Sequence, residues 1–272
     1  MKTDTYLAIR DNRVTKANEL IQKSRFNLSL QQQKIVLYLI SQITPYDEDF
    51  KLYDFSIPEF CRVCGIDYNN GKNYKDLKTA LKEIRDKSIW VTLPDGRETT
   101  LAWIEKPYIE PKNGVVQVRL DKDMKPYLLQ LKDNFTSYEL IYTLHFKSKY
   151  TIRLYELIKS IHFHELETYT RSYAVDELRR LLDAETYAMY KDFKKRVLDT
   201  AIQEINEYSD KELSYSEIKA GKKVVSIEFT VRTKEPVERL KVRDKIDKEM
   251  GTNGQISLWE MVQAADQKQQ EQ

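Results

Sequence analysis

The chain has 272 residues, 41% of them hydrophobic and 32% charged, with a formal net charge of +2 from 45 basic and 43 acidic side chains. That length accommodates two domains with real cores, and the near-balance of charge excludes a polycation, so any nucleic-acid contact must come from local basic patches. Seven glycines and no Walker or dinucleotide motif argue against an ATPase or a nucleotide-cofactor enzyme, and no cofactor is expected. Two cysteines, Cys61 and Cys64, are too few for a disulfide framework and fit a reducing cytoplasm. No apolar run approaches the ~20 residues of a membrane span, and the opening MKTDTYLAIRDNRV has no signal-peptide h-region. The expectation is a cytoplasmic protein.

In chain order, residues 1–14 are polar and read as loose, and Asn18 to Lys23 reads as a short helix. Ser29-Leu30-Gln31-Gln32 is a capping box, followed by Ile35, Val36, Leu39, Ile40 and Ile43 at helical spacing. Ser56 to Cys64 is a second short helix stopped by Gly65, and Tyr74 to Asp86 a third, with Tyr74, Leu77, Leu81 and Ile84 on one face. Hairpins follow, with turns at Pro94-Asp95-Gly96 and Asn113-Gly114. Asp121 to Ser137 is the expected connection between domains. Ser148 to Phe163, Val175 to Leu182 and Thr186 to Tyr208 are the next helices, the last with Phe193, Val197, Ala201 and Ile205 as its core stripe. Leu213 to Lys219 and Val224 to Arg232 form a hairpin across Ala220-Gly221-Lys222. Residues 237–272 are charged and glutamine-rich, and the stretch from Pro236 on is expected to be a flexible tail.

This order repeats. Ile35-Val36-Leu37-Tyr38 is echoed by Ile152-Arg153-Leu154-Tyr155, Phe55 to Phe60 by Tyr173 to Leu178, and Tyr74-Lys75-Asp76-Leu77-Lys78 by Tyr190-Lys191-Asp192-Phe193-Lys194. The offsets are 117 residues (Tyr38 to Tyr155), 118 (Ile57 to Val175) and 116 (Tyr74 to Tyr190). One near-constant offset over three matches indicates a duplicated domain, too long for a solenoid repeat. Three helices and then a β-ribbon is the layout of a winged helix. The expected fold is α+β: a winged helix over 1–133, a second over 134–235, and the tail over 236–272.

The chemistry lies on the third helices. In the second copy Lys191, Lys194, Lys195 and Arg196 crowd the N-terminal half, and a 100° wheel turns Lys195, Arg196 and Gln203 outward. A recognition helix brings its first turns to base edges. Arg grips guanine and Gln grips adenine through two bonds each, whereas lysines suit phosphates. Arg196 is the expected base reader. One basic helix alone would more simply be a solvated face; the duplication favours DNA. The first copy offers Lys72, Lys75, Lys78 and Lys82 as a weaker reader, and Lys222 and Lys223 at the wing turn are expected phosphate or minor-groove contacts.

Three other motifs carry possible chemistry. Cys61-x-x-Cys64 lacks a second ligand pair and sits beside Phe60 and Val63, so it reads as core filler and no metal is expected. His162-Phe163-His164 would need a strand to serve a metal-dependent nicking site; it follows a strongly periodic helix, and no catalysis is expected from it. Gln255-Ile256-Ser257-Leu258-Trp259 resembles the pentapeptide that bacterial replication proteins insert into the sliding clamp, with Gln255, Leu258 and Trp259 as anchors.

Leu28-Ser29-Leu30-Gln31-Gln32-Gln33-Lys34, Leu144 to Leu157, and Tyr190 to Leu198 running on to Ile205-Asn206 carry a wider likeness. Over roughly residues 15–235 the chain resembles the winged-helix initiators of iteron-containing, theta-replicating plasmids. The resemblance implies two winged helices that bind directly repeated origin sites in double-stranded DNA. It also implies a monomer that opens the origin, a dimer formed through the first domain, repression of its own gene, and recruitment of host replication proteins. A repressor without initiator activity and a rolling-circle nicking enzyme are the alternatives.

Overall fold

The computed structural model describes residues 8–64, 66, 71–93, 95–110, 112, 114–161 and 168–249, with backbone alone at 71–73. The first module opens with strand β1 (Arg13–Ala17) and helices α1 (Asn18–Lys23) and α2 (Leu30–Ile40). The Ser29 hydroxyl accepts the Gln32 N–H at 3.3 Å while the Gln32 carbonyl accepts the Ser29 N–H at 2.9 Å, so the expected capping box starts α2. Behind it everything from Gln32 to Ile40 is buried. Strand β2 (Tyr53–Ser56) leads into α3 (Ile57–Val63), itself begun by a reciprocal Ser56–Glu59 box. Helix α4 (Gly71–Asp86) buries Leu77, Leu81 and Ile84 completely. Strands β3 (Ser88–Thr92) and β4 (Glu98–Ala102) form one hairpin; β5 (Tyr108–Ile109) and β6 (Val115–Val118) extend β2 into a sheet ordered β2-β6-β5.

Residues 121–137, expected to be a connection able to form helix, are helical in their first part and end in a strand. A 3₁₀ turn (Lys122–Met124) and α5 (Lys125–Leu128) lead to β7 (Phe135–Glu139), which pairs antiparallel with β1, Val14 opposite Tyr138. Residues 13 and 14, expected to be loose, therefore open a strand. The expected boundary at 133/134 falls immediately before β7, a strand whose partner lies in the first module. Helices α6 (Ile141–Leu144) and α7 (Lys149–Lys159) follow.

The second module repeats the first. Strand β8 (Thr168–Ala174) precedes α8 (Val175–Leu181) as β2 precedes α3. The third helix begins at Tyr190, four residues later than expected, and runs as α9 (Tyr190–Phe193), a π turn (Lys194–Leu198) and α10 (Asp199–Tyr208). Strands β9 (Lys211–Ala220) and β10 (Lys223–Thr233) complete a sheet ordered β8-β10-β9. Ala174 faces Ser226 as Ser56 faces Val115, so β10 corresponds to β6, and the β3-β4 hairpin is an insertion peculiar to the first copy.

The tail expectation fails for residues 236–249. They form α11 (Pro236–Glu249), with Val242 and Ile246 buried. Arg243 pairs with Asp11 and Glu139, and Arg10 with Asp247 at 3.6 Å. Charged composition concealed an apolar spacing of only two residues, Val242 and Ile246. Among the described residues no helix is long and apolar enough to cross a membrane. Cys61 and Cys64 are buried, and burial pushes their thiols up to about 11 and about 12, as core sulfurs should behave.

A buried ionic cluster joins β1, β7 and α7. Lys16 of β1 reaches Glu156 of α7 at 2.6 Å, and the Tyr138 hydroxyl of β7 donates to the same carboxylate oxygen at 2.6 Å. Arg153, one turn before Glu156 and 3.6 Å from it, donates to the carbonyls of Ile21 and Leu181 at 3.2 Å, one in each module. Burial pushes the Glu156 carboxyl up, but Lys16 and Arg153 outweigh it and hold it below its ordinary value. Its contribution to stability is therefore complete above the unfolded-state value of about 4.3 and is lost as pH falls through the lower folded-state value. Glu156→Gln leaves two buried cations without a counter-charge and should cost about 3–5 kcal/mol at pH 7. Urea unfolding at pH 7 and pH 4 checks this: the loss should be large at neutrality and shrink on acidification.

Candidate nucleic-acid interface

The third helix of the second module, α9 through the π turn to α10, is a candidate reading helix anchored on its inner side and at its far end, which leaves its outer face free. Phe193, Val197, Leu198, Ala201 and Ile205 are completely buried. The adjacent pair Val197 and Leu198 can both face inward because the helix widens there: the Asp199 N–H donates to the Lys194 carbonyl five residues back. The Thr200 hydroxyl donates to the Lys195 carbonyl at 3.3 Å, occupying an acceptor left by the π turn. At the far end the Asn206 amide meets Leu213 of β9 twice, accepting its N–H at 2.6 Å and donating to its carbonyl at 2.9 Å. Glu204 accepts the N–H groups of Lys147 and Ser148 at 3.2 and 3.3 Å, at the start of α7.

On the outer face Lys191, Lys195, Arg196 and Gln203 are exposed. Lys191, Lys195 and Arg196 line one shallow groove with Tyr187, Asp192 and Thr200. Lys194 differs from its expected role. It turns toward the wing, hydrogen-bonds the Tyr215 hydroxyl, and lies 3.4 Å from Asp199 and 3.7 Å from Glu217. The hydrogen bond that its ammonium donates to Tyr215, with the nearby Asp199 carboxylate, raises its pKa. Tyr215 donates to Asp199 at 2.8 Å and Tyr190 to Glu217 at 2.9 Å, so one polar network ties helix to wing. Lys222 and Lys223 are exposed at the wing turn, where Gly221 takes φ +60°.

In the first module Lys75, Lys78 and Lys82 are exposed on α4, with Lys82 paired to Asp86 at 2.6 Å. Lys72 falls within α4, but its side chain lies outside the described residues, as do His162, His164, Gln255, Leu258 and Trp259. The sequence reading missed Arg179. It donates to the Ala188 carbonyl at 3.0 Å and lies 5.2 Å over the Phe193 ring, fixing the approach to the reading helix. It also missed Tyr190, Tyr215 and Glu217; a wheel cannot show pairing between a helix and a strand twenty residues on.

Comparison with known proteins gives a consistent picture. Residues 13–159 match the family model described as Initiator Replication protein, WH1, and residues 174–231 that of Initiator Rep protein, WH2. A replication initiation protein of Escherichia coli is 26% identical over 208 residues, 74% of this chain and 64% of the relative. The chain thus spans less than two thirds of that relative's length. An uncharacterized 27.6 kDa protein of Escherichia coli is 22% identical over 79% of this chain and 93% of its own. Among solved structures, the Pi initiator protein in complex with iteron DNA superposes with a TM-score of 0.69 at 20% identity, covering 83% of this chain and 99% of that one. That likeness shows the shared fold of two tandem winged helices.

Tyr215→Phe removes the hydroxyl that joins Lys194 to Asp199. Chemical unfolding should show a loss of about 1 kcal/mol, the worth of one such bond. No change would mean the network does not tie helix to wing.

Proposed function

The chain belongs to the Initiator Replication protein family, and from that premise we propose that it is a sequence-specific DNA-binding protein that initiates plasmid replication at repeated origin sites. The observation that carries the reading is the exposed cationic face of the second reading helix, Lys191, Lys195 and Arg196, presented beside a wing tipped by Lys222 and Lys223. Backbone phosphates attract such a surface without regard to sequence. Arg196 supplies the two-bonded grip on a guanine edge, and Gln203 the corresponding grip on adenine. Lys75, Lys78 and Lys82 of α4, with Lys72, give the first module a second, weaker contact. Two modules on adjacent grooves would strain DNA between bound copies, and flexible A·T-rich steps open at the least cost.

The same reading includes self-association through the first module, repression of the protein's own gene, recruitment of host replication proteins, and engagement of a sliding clamp by Gln255, Leu258 and Trp259. It places the protein in the cytoplasm and assigns it no reaction of its own. Origin opening separates it from a pure repressor: permanganate reactivity of an adjacent A·T-rich stretch on a supercoiled plasmid should appear with the protein present.

The charges of the reading helix make separate predictions. Arg196→Ala should cost about 1–3 kcal/mol on the cognate repeat and relax the preference at one base position. Lys195→Ala and Lys222→Ala should weaken binding to all DNA and each lower the salt slope by about one. Lys194→Ala should leave that slope nearly unchanged, because its charge is already matched within the protein. Fluorescence anisotropy over a salt series distinguishes the four variants. Cognate binding unaffected by Arg196→Ala would remove the reading helix from this account.

A further inference from the structure

Met189 is an apolar side chain held in the open at the start of the second reading helix. It is 69% exposed, yet its backbone is fixed. Its carbonyl accepts the N–H groups of Asp192 and Phe193, both at 3.1 Å. The preceding carbonyl, that of Ala188, is held by Arg179, which is itself braced by Asp176 at 3.0 Å. The thioether is therefore presented from a rigid position, with nothing in the described chain covering most of it.

Arg179, Lys222 and Lys223 outnumber Asp176 on the surface around it. Met189 lines a concave surface with Lys222, Lys223 and Val224 of the wing, and Lys191 follows two residues later. Met189 is the extended residue at which the helix opens, one position before Tyr190. The lysines select a polyanion. An exposed apolar tip beside them selects an apolar group carried by that polyanion. On base edges in the major groove that group is the C5-methyl of thymine. A methionine suits the contact, being unbranched, polarisable and able to adjust its three torsions to the groove floor.

We propose that Met189 is a specificity-determining residue that reads a thymine by packing on its C5-methyl, an inference that rests on the DNA-reading role proposed above for this helix. The tests use the full chain and two duplexes of the repeat-containing region next to its gene. One carries thymine; the other carries deoxyuridine at every thymine position, which removes the methyls and leaves the hydrogen-bonding edges intact. The wild-type protein should bind the deoxyuridine duplex about fourfold more weakly for each methyl that Met189 buries. Met189→Ala should bind the thymine duplex more weakly by the same factor and discriminate less between the two duplexes by that factor. Met189→Leu should restore part of the discrimination. Any methyl contact made elsewhere persists in the variant and cancels in the comparison.

Equal wild-type affinity for both duplexes overturns the inference. So does a Met189→Ala protein that keeps the full wild-type discrimination. In both cases a retained preference for the repeat region over a shuffled duplex leaves the proposed function standing. Loss of that preference in the wild-type protein overturns the proposed function and this inference together.

Discussion

Glu156 is the constraint around which the two modules are arranged. It sits in the middle of α7 at 1% exposure, among side chains of β1, β7 and α7. A buried ion pair is a weak source of stability, since apolar side chains of similar volume often do as well or better. What it imposes is geometry. A carboxylate stripped of water needs its partners returned to it, and here they arrive from β1, β7 and α7 itself. Arg153 extends the requirement by bonding a carbonyl of α1 and a carbonyl at the end of α8. Residues 182–189 connect the end of α8 to the candidate reading helix, so one arginine ties the approach to that helix back to α1.

Helix α11 closes the same arrangement from the other side. Arg243 joins Asp11 to Glu139, Lys245 joins Glu207 near the end of the reading helix, and Glu249 meets His145 at 2.7 Å and Tyr208 at 3.1 Å. Individually exposed pairs of this kind contribute little. Collected on one helix with Val242 and Ile246 buried, they tie three distant segments together. Within that frame the π turn adjusts the reading helix itself, turning Val197 and Leu198 both into the core while Lys195 and Arg196 remain outside.

Much of this was legible in the sequence where a local rule operates. The Ser29 box, the stripe Phe193, Val197, Ala201 and Ile205, and the glycine-marked turns at Gly96, Gly114 and Gly221 each follow from spacing or from a positive φ, and each is present. The duplication was legible for the same reason, because both copies solve one packing problem. Non-local contacts were not. Arg13–Ala17 is strand only because Phe135–Glu139 lies beside it, 122 residues on at the Thr15–Ser137 pair. Glu156 carries no sign in the sequence that Lys16 awaits it. In the candidate interface, the residues that the wheel turns outward, Lys195, Arg196 and Gln203, are exposed, whereas Lys194, which the wheel does not turn outward, is drawn toward the wing by a tyrosine and two acids.

The central claim is that this surface recognises a DNA sequence rather than merely negative charge. The most direct measurement is the ratio of dissociation constants for the repeat-containing duplex and a shuffled duplex of equal length and composition, taken across a salt series. The account predicts a preference of about a thousandfold or more that survives as salt rises. Equal affinities that fall steeply together would contradict it and reduce the surface to backbone attraction.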